Sequence, residues 1–169
     1  MPQRTKVRSS ATNNIGFEMG CIKMFGLTNK EKINSLILNA SQNCIEIYTS
    51  GIKNLLDKQD RLGNQEMEQC VIHIRREYLD AVTNSVLTFF QNSSPAIYSR
   101  LQMAMISPGI CDMDDDLVNL DIGLSAGVLY ALCYYAVTNK KAKTYDCSKL
   151  SHLQNDLMNQ ALAKLSENM

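Results

Sequence analysis

The chain contains no tryptophan, only three prolines and only two histidines among its 169 residues. Because the prolines stand at positions 2, 95 and 108, long stretches are free to form uninterrupted helices. The sequence has no Cys-x-x-Cys pair, no phosphate-binding glycine loop and no His-Glu-x-x-His motif. Neither His73 nor His152 stands in a setting typical of a catalytic base. We therefore expect a protein that is not an enzyme and that binds no cofactor.

An excess of charge is also missing, since 17 basic and 17 acidic residues cancel. A neutral chain gives no reason to expect nucleic acid as its main partner. The basic residues are nevertheless concentrated near the start, and residues 1–14 combine them with almost no apolar side chains. This composition predicts a disordered basic leader over 1–14 and a helical bundle domain over 15–169. A small regulator that touches nucleic acid through the leader is one alternative.

No apolar stretch typical of a secretory signal peptide lies near the N-terminus. The chain has six cysteines, and their spacing is wide and irregular, at positions 21, 44, 70, 111, 133 and 147. Both features indicate reduced thiols in a cytoplasmic protein. The nearest approach to a metal motif is Cys70-x-x-His73, joined by Cys147 or His152. A core cysteine beside a surface histidine is the favoured interpretation, and no metal is expected.

The most apolar segment is residues 117–137, which carry no formal charge from Ile122 onward. A helix that is apolar all round must be surrounded by other helices or by lipid. The uncharged part is shorter than the 18 or so residues that a membrane span usually needs, which favours a buried core helix. Gly123 and Gly127 lie on one helical face and predict a close backbone neighbour. A membrane-associated helical protein that uses residues 122–137 is a second alternative.

Charged residues flank this segment on both sides. Aspartates at 112 and 114–116 precede it and are predicted to cap the start of its helix. Their spacing lacks the glycine and glutamate of a calcium loop, so calcium binding is not expected. Three lysines, at 140, 141 and 143, follow the helix end, where the helix dipole favours cations.

The remaining helices are amphipathic with a period of 3.6 residues. A capping box from Thr28 to Glu31 predicts a first long helix that ends near Asp60, and Asn64 is expected to cap a second, antiparallel helix. Ser94 and Pro95 predict the start of a third, short helix. The closing helix has an apolar stripe at Leu150, Leu153, Leu157, Ala161 and Leu165, widened by Met158 and Leu162. The sequence therefore predicts an all-α, single-domain helical bundle of about five helices around a buried, nearly all-apolar central helix.

The helix order, with Gly-Leu-Ser-Ala-Gly-Val-Leu-Tyr-Ala-Leu at residues 123–132 in the central helix, is similar to two families. One is the Bcl-2-like proteins of large DNA viruses, and the other is the helical-bundle export chaperones of bacterial flagella. The resemblance covers helix order and the last part of the chain. The Asn-Trp-Gly-Arg signature of cellular Bcl-2 proteins is absent, so no functional residue can be carried over.

Several large apolar residues exceed what a bundle of this size needs for its core. Nine methionines suit a surface that repacks around a partner. We therefore expect a non-enzymatic protein-interaction module, of the adaptor, chaperone or inhibitor kind, that acts through a hydrophobic groove or helix face. The sequence leaves open whether residues 15–27 pack on the bundle or grip a partner, and whether the chain forms a homo-oligomer. The candidate partner-binding residues are Phe17, Met24, Phe25, Met103 and Met105.

Overall fold

A computed structural model of the protein describes residues 28–112 and 125–169. Those residues form helices and no strand, so the predicted all-α bundle is confirmed. Residues 1–27, with the predicted leader, lie outside the described part. The six α-helices are α1 (Asn29–Asn43), α2 (Ile45–Leu56), α3 (Asn64–Ser93), α4 (Pro95–Ile106), α5 (Ala126–Thr138) and α6 (Thr144–Glu167), with short 3-10 turns at Gln59–Arg61 and Pro108–Cys111.

Helix α1 begins as predicted, because the Thr28 hydroxyl accepts a hydrogen bond from the Glu31 amide at 3.2 Å. The expectation of one continuous helix to Asp60 is wrong. The helix is divided at Cys44, where φ is −96° and ψ is 1°, and α2 ends at Leu56. The first two predicted helices therefore correspond to three helices in the structure, α1, α2 and α3.

Helix α3 packs against α2 and forms the expected hairpin. Its capping residue is Gly63 and not Asn64, since the Gly63 amide donates to Glu66 Oε2 at 3.1 Å and the helix already includes Asn64. Helix α4 begins as predicted, with the Ser94 hydroxyl accepting from the Ile97 amide at 3.4 Å. Pro95 fills the first helical position, where no backbone N–H is required.

Helix α5 is the buried central helix, and nine of its thirteen residues are buried. It packs against α1, α4 and α6. A continuous helix over 117–137 is nevertheless wrong, because Ser125 has an extended backbone with ψ of 159° and the described helix starts at Ala126. Ser125, and not an aspartate, caps α5. The aspartates at 114–116 and Gly123 lie outside the described residues.

The closing helix α6 buries Leu150 and Met158 of the predicted stripe, but its buried face is centred on a different residue. Leu153 is 40% exposed, whereas Gln154 is only 1% exposed and lies in the core. The buried positions at 147, 150, 154 and 158 keep the helical period, but one of them is a polar residue. An amide side chain thus occupies a place at which we expected only apolar ones.

Gln154 belongs to a polar junction that begins α5 inside the protein. Its Oε1 accepts from the Ala126 amide at 3.2 Å, and the Ser151 hydroxyl accepts from the Gly127 amide at 2.9 Å. The Ser125 hydroxyl accepts from the Val128 amide at 3.4 Å. The Ser125 carbonyl accepts from the Leu129 amide at 2.9 Å, which is the first hydrogen bond within the helix. Three amides at the start of α5 that the helix itself cannot satisfy, those of Ala126, Gly127 and Val128, therefore have side-chain acceptors.

The same junction reaches two further helices. Gln154 Nε2 donates to Ser41 Oγ of α1 at 3.1 Å, and the Tyr78 hydroxyl of α3 donates to the Ser41 carbonyl at 3.0 Å. Burial raises the pKa of Tyr78 to about 12, so the phenol remains a hydrogen-bond donor at neutral pH. Residues of α1, α3, α5 and α6 are thus joined by one buried network.

The close neighbour expected at Gly127 is present. A Cβ at this position would lie 2.5 Å from Ser151 Oγ and 2.7 Å from the backbone oxygen of Cys147.

We predict that Gly127→Ala lowers the free energy of unfolding by about 1–3 kcal/mol, because the backbone of α6 would have to move away. The control is Gly109→Ala, whose added methyl has nothing within 4 Å. Thermal unfolding measures both, and an unchanged melting temperature for Gly127→Ala would contradict the close contact.

Replacement of Gln154 by leucine keeps the volume near that of glutamine but leaves the Ala126 N–H buried without an acceptor. We predict that Gln154→Leu destabilises the protein by about 1–3 kcal/mol, the usual cost of such a group. Gln160→Leu is the matched control, because Gln160 lies exposed on the same helix. Urea unfolding of the two variants compares them, and equal stabilities would show that Gln154 contributes only packing.

Candidate functional site

An apolar cleft of about 210 Å³ opens where the ends of four helices meet. It lies between the start of α1, the end of α3, the start of α4 and the end of α5. The apolar cleft is lined by Asn29, Lys32, Ile33, Leu36, Phe89, Phe90, Ile97 and Val137. Six of these eight side chains are apolar, so the cleft offers a water-exposed surface that is suited to another apolar group.

The aromatic wall of the apolar cleft comes from α3. Phe89 and Phe90 stand edge to face, with ring centroids 5.2 Å apart. Phe90 is buried in the core, and Phe89 is half-buried and packs against it. Ile97 enters from the first turn of α4, which Ser94 and Pro95 position. Core packing thus fixes the inner wall, while part of each outer residue remains accessible.

A second hollow of about 390 Å³, the lysine pocket, adjoins the apolar cleft. Asn29 lines both. The lysine pocket is lined by Thr28, Asn29, Lys30, Tyr134, Thr138 and Lys140. Neither hollow has an acidic lining residue, although the whole chain is neutral. The charged side chains that line the two hollows are therefore all basic.

The lysines of these two hollows differ in their partners. Lys30 Nζ lies 2.6 Å from the buried Asp146 carboxylate, and this hydrogen bond raises the pKa of Lys30. Among the described residues, no carboxylate forms an ion pair with Lys32 or Lys140. Lys30 therefore neutralises a buried acid of α6, whereas Lys32 and Lys140 can interact with a ligand.

A third hollow, the hairpin groove, lies between α2 and α3 and measures about 530 Å³. Cys70 and His73 both line it, as their shared helix face predicts. His73 Nε2 lies 3.2 Å from Glu77 Oε1, and both side chains are exposed. No set of three metal-binding side chains comes together in residues 28–112 and 125–169. Cys70 and His73 thus have no further ligands there.

The five described cysteines form no disulfide. Burial raises the pKa of Cys133 and of Cys111, which keeps both thiols protonated at neutral pH and makes them poor nucleophiles. Cys133 lies in the middle of α5 and is fully buried. These two side chains serve the core as small apolar groups.

The structure describes two of the five predicted partner-binding residues and places neither in the apolar cleft. Met103 is 62% exposed on α4, and Ile106 follows it one turn later at 83% exposed. Met105 is half-buried against the core. Phe17, Met24 and Phe25 lie outside the described residues. The cleft could not be predicted from the sequence, because a cleft between four helix ends leaves no periodic signal in any single segment.

No family model, curated protein or solved structure matches this chain. The resemblances in helix order to viral Bcl-2-like proteins and to flagellar export chaperones therefore gain no support. None of the helices in the described residues has the length and apolar character needed to cross a bilayer. Any functional inference rests on the geometry of the hollows themselves.

The different environments of Lys30 and Lys32 can be tested by removing each charge. We predict that Lys30→Met lowers the melting temperature more than Lys32→Met, because only Lys30 compensates a buried carboxylate. Both changes remove one positive charge from α1, so the second variant is the control for net charge. Differential scanning calorimetry at neutral pH measures the pair. Equal melting temperatures would mean that Lys30 does not stabilise Asp146.

Proposed function

We propose that the protein is a non-enzymatic interaction module that binds the apolar face of a partner's helix in the apolar cleft. The observation that carries this proposal is the open, aromatic-walled lining formed by Phe89, Phe90 and Ile97. Aromatic anchors in a central pocket typically supply most of the binding energy at protein interfaces. An adaptor, a chaperone or an inhibitor would each use such a surface.

The size of the apolar cleft supports a protein ligand over a small molecule. Small-molecule sites usually measure about 300–1,000 Å³ and enclose most of their ligand. At about 210 Å³ the cleft is smaller, and it is suited to one or two side chains that project from a larger body. A helix presents such side chains at intervals of three and four residues, as in other helix-in-groove complexes.

The burial of α5 argues against the membrane-associated alternative. The apolar residues of this helix face α1, α4 and α6, and little of their surface is left to meet lipid. Exposed apolar side chains lie on other helices, and two of them, Met103 and Ile106, are neighbours on α4. The proposal therefore has two candidate surfaces to separate, the apolar cleft and the exposed face of α4.

Two variants on the same helix separate these surfaces. Ile97→Glu places a charge in the apolar cleft, and an acid in the first turn of α4 suits the helix dipole, so the fold is expected to persist. Met103→Glu changes the exposed face outside the cleft. The partner is captured from the native host with the full-length protein, and its affinity for each variant is measured by calorimetry.

We predict that Ile97→Glu weakens binding at least about tenfold, as loss of an interface anchor does, whereas Met103→Glu leaves the affinity unchanged. Circular dichroism of both variants checks that the helices are intact. Loss of binding in Met103→Glu with full binding in Ile97→Glu would reject the cleft as the binding site.

A further inference from the structure

We infer that the segment bound in the apolar cleft is an acidic amphipathic helix, whose carboxylates lie against Lys32 and Lys140. This inference rests on the proposed function and specifies the chemistry of the partner. The apolar cleft would receive the apolar stripe of that helix. The lysines at its edge and in the adjoining lysine pocket would meet the acidic residues beside the stripe.

The position of Lys32 is not explained by stability. Lys32 stands in the first turns of α1, near the positive end of the helix dipole, where a cation is disfavoured. Lys30 has the same disadvantage but neutralises the buried Asp146. In the described part of the chain no carboxylate compensates Lys32. A positive charge in this place therefore fits a role in binding an acidic group.

Lys140 adds a second charge on the same side of the bundle. It follows the end of α5, where the helix dipole alone would favour a cation. The position of Lys140 is thus explained by helix stability as well as by binding. Lys32 is therefore the stronger evidence for an acidic partner. Together they set two positive charges beside an apolar lining that contains no acid. Complementary charge of this kind selects partners and speeds their association.

The test uses a displayed library of helical peptides with leucine fixed along one face. The flanking positions are randomised among aspartate, glutamate, lysine, arginine, serine and asparagine. Selection is carried out on the full-length protein and, in parallel, on Ile97→Glu. We expect aspartate and glutamate to be enriched beside the leucine face on the wild type, and we expect this enrichment to disappear on Ile97→Glu.

Charge reversal then tests the two lysines with one selected acidic peptide. Lys32→Glu and Lys140→Glu are each expected to weaken binding about fivefold at low ionic strength, the upper range for exposed ion pairs. The difference should shrink in about 1 M salt, where the screening length falls to about 3 Å. Lys164→Glu on α6 is the matched control, because it changes the net charge equally but lines neither hollow.

The outcomes separate this inference from the proposed function. Two results would overturn the acidic partner and leave the proposed function standing. In the first, the selected peptides need Ile97 but show no acidic preference. In the second, Lys164→Glu weakens binding as much as Lys32→Glu does. Selection of no peptide that depends on Ile97 overturns both. Displacement of the selected peptide by a synthetic peptide of residues 15–27 would assign the apolar cleft to the chain itself. A wild-type dimer that Ile97→Glu dissociates would assign it to a second copy. Either result overturns the partner helix.

Discussion

The start of helix α5 lies inside the protein, where its first backbone amides cannot be hydrogen-bonded by bulk water. Each such group costs about 1–3 kcal/mol if it has no acceptor. Ser125, Ser151 and Gln154 provide side-chain acceptors for three of these amides. The most apolar helix of the chain can therefore be central only because a neighbouring helix supplies polar side chains at one end. Gly127, at which a side chain would collide with α6, permits the approach that these hydrogen bonds require.

The junction and the apolar cleft lie at opposite ends of α1 and α5. Helices α1 and α5 run antiparallel, since Ser41 at the end of α1 is linked through Gln154 to the start of α5. At the opposite ends, Ile33 and Leu36 of α1 and Val137 of α5 line the apolar cleft. The polar junction thus lies at one end of the helix pair and the walls of the proposed binding surface lie at the other. The inner residues Ile33 and Phe90 are packed in the core, which would lower the entropic cost of binding.

The helices were predictable because their signals are local. Thr28, Ser94 and Pro95 mark helix starts through their own side chains, and the 3.6-residue period marks the faces. The division at Cys44 has no such local signal, because Cys44 makes no side-chain cap hydrogen bond. Ser125 is a capping residue of the same kind as Ser94, but it stands within a continuous uncharged run that predicts one unbroken helix. Gln154 was missed because its position on the buried stripe conflicts with its polarity, and only knowledge of its partners resolves that conflict. The apolar cleft was missed for a related reason, since its walls come from segments far apart in sequence.

The most direct test of the junction is native-state hydrogen exchange at the first amides of α5. Amides in the first turn of an exposed helix exchange quickly, because no internal acceptor holds them. The junction predicts that the Ala126 and Gly127 amides exchange only through global unfolding, as slowly as the centre of α5. The amide of Tyr145, an exposed residue in the first turn of α6, provides the fast reference. Exchange of Ala126 and Gly127 at the rate of Tyr145 would contradict a buried, side-chain-capped start of the central helix.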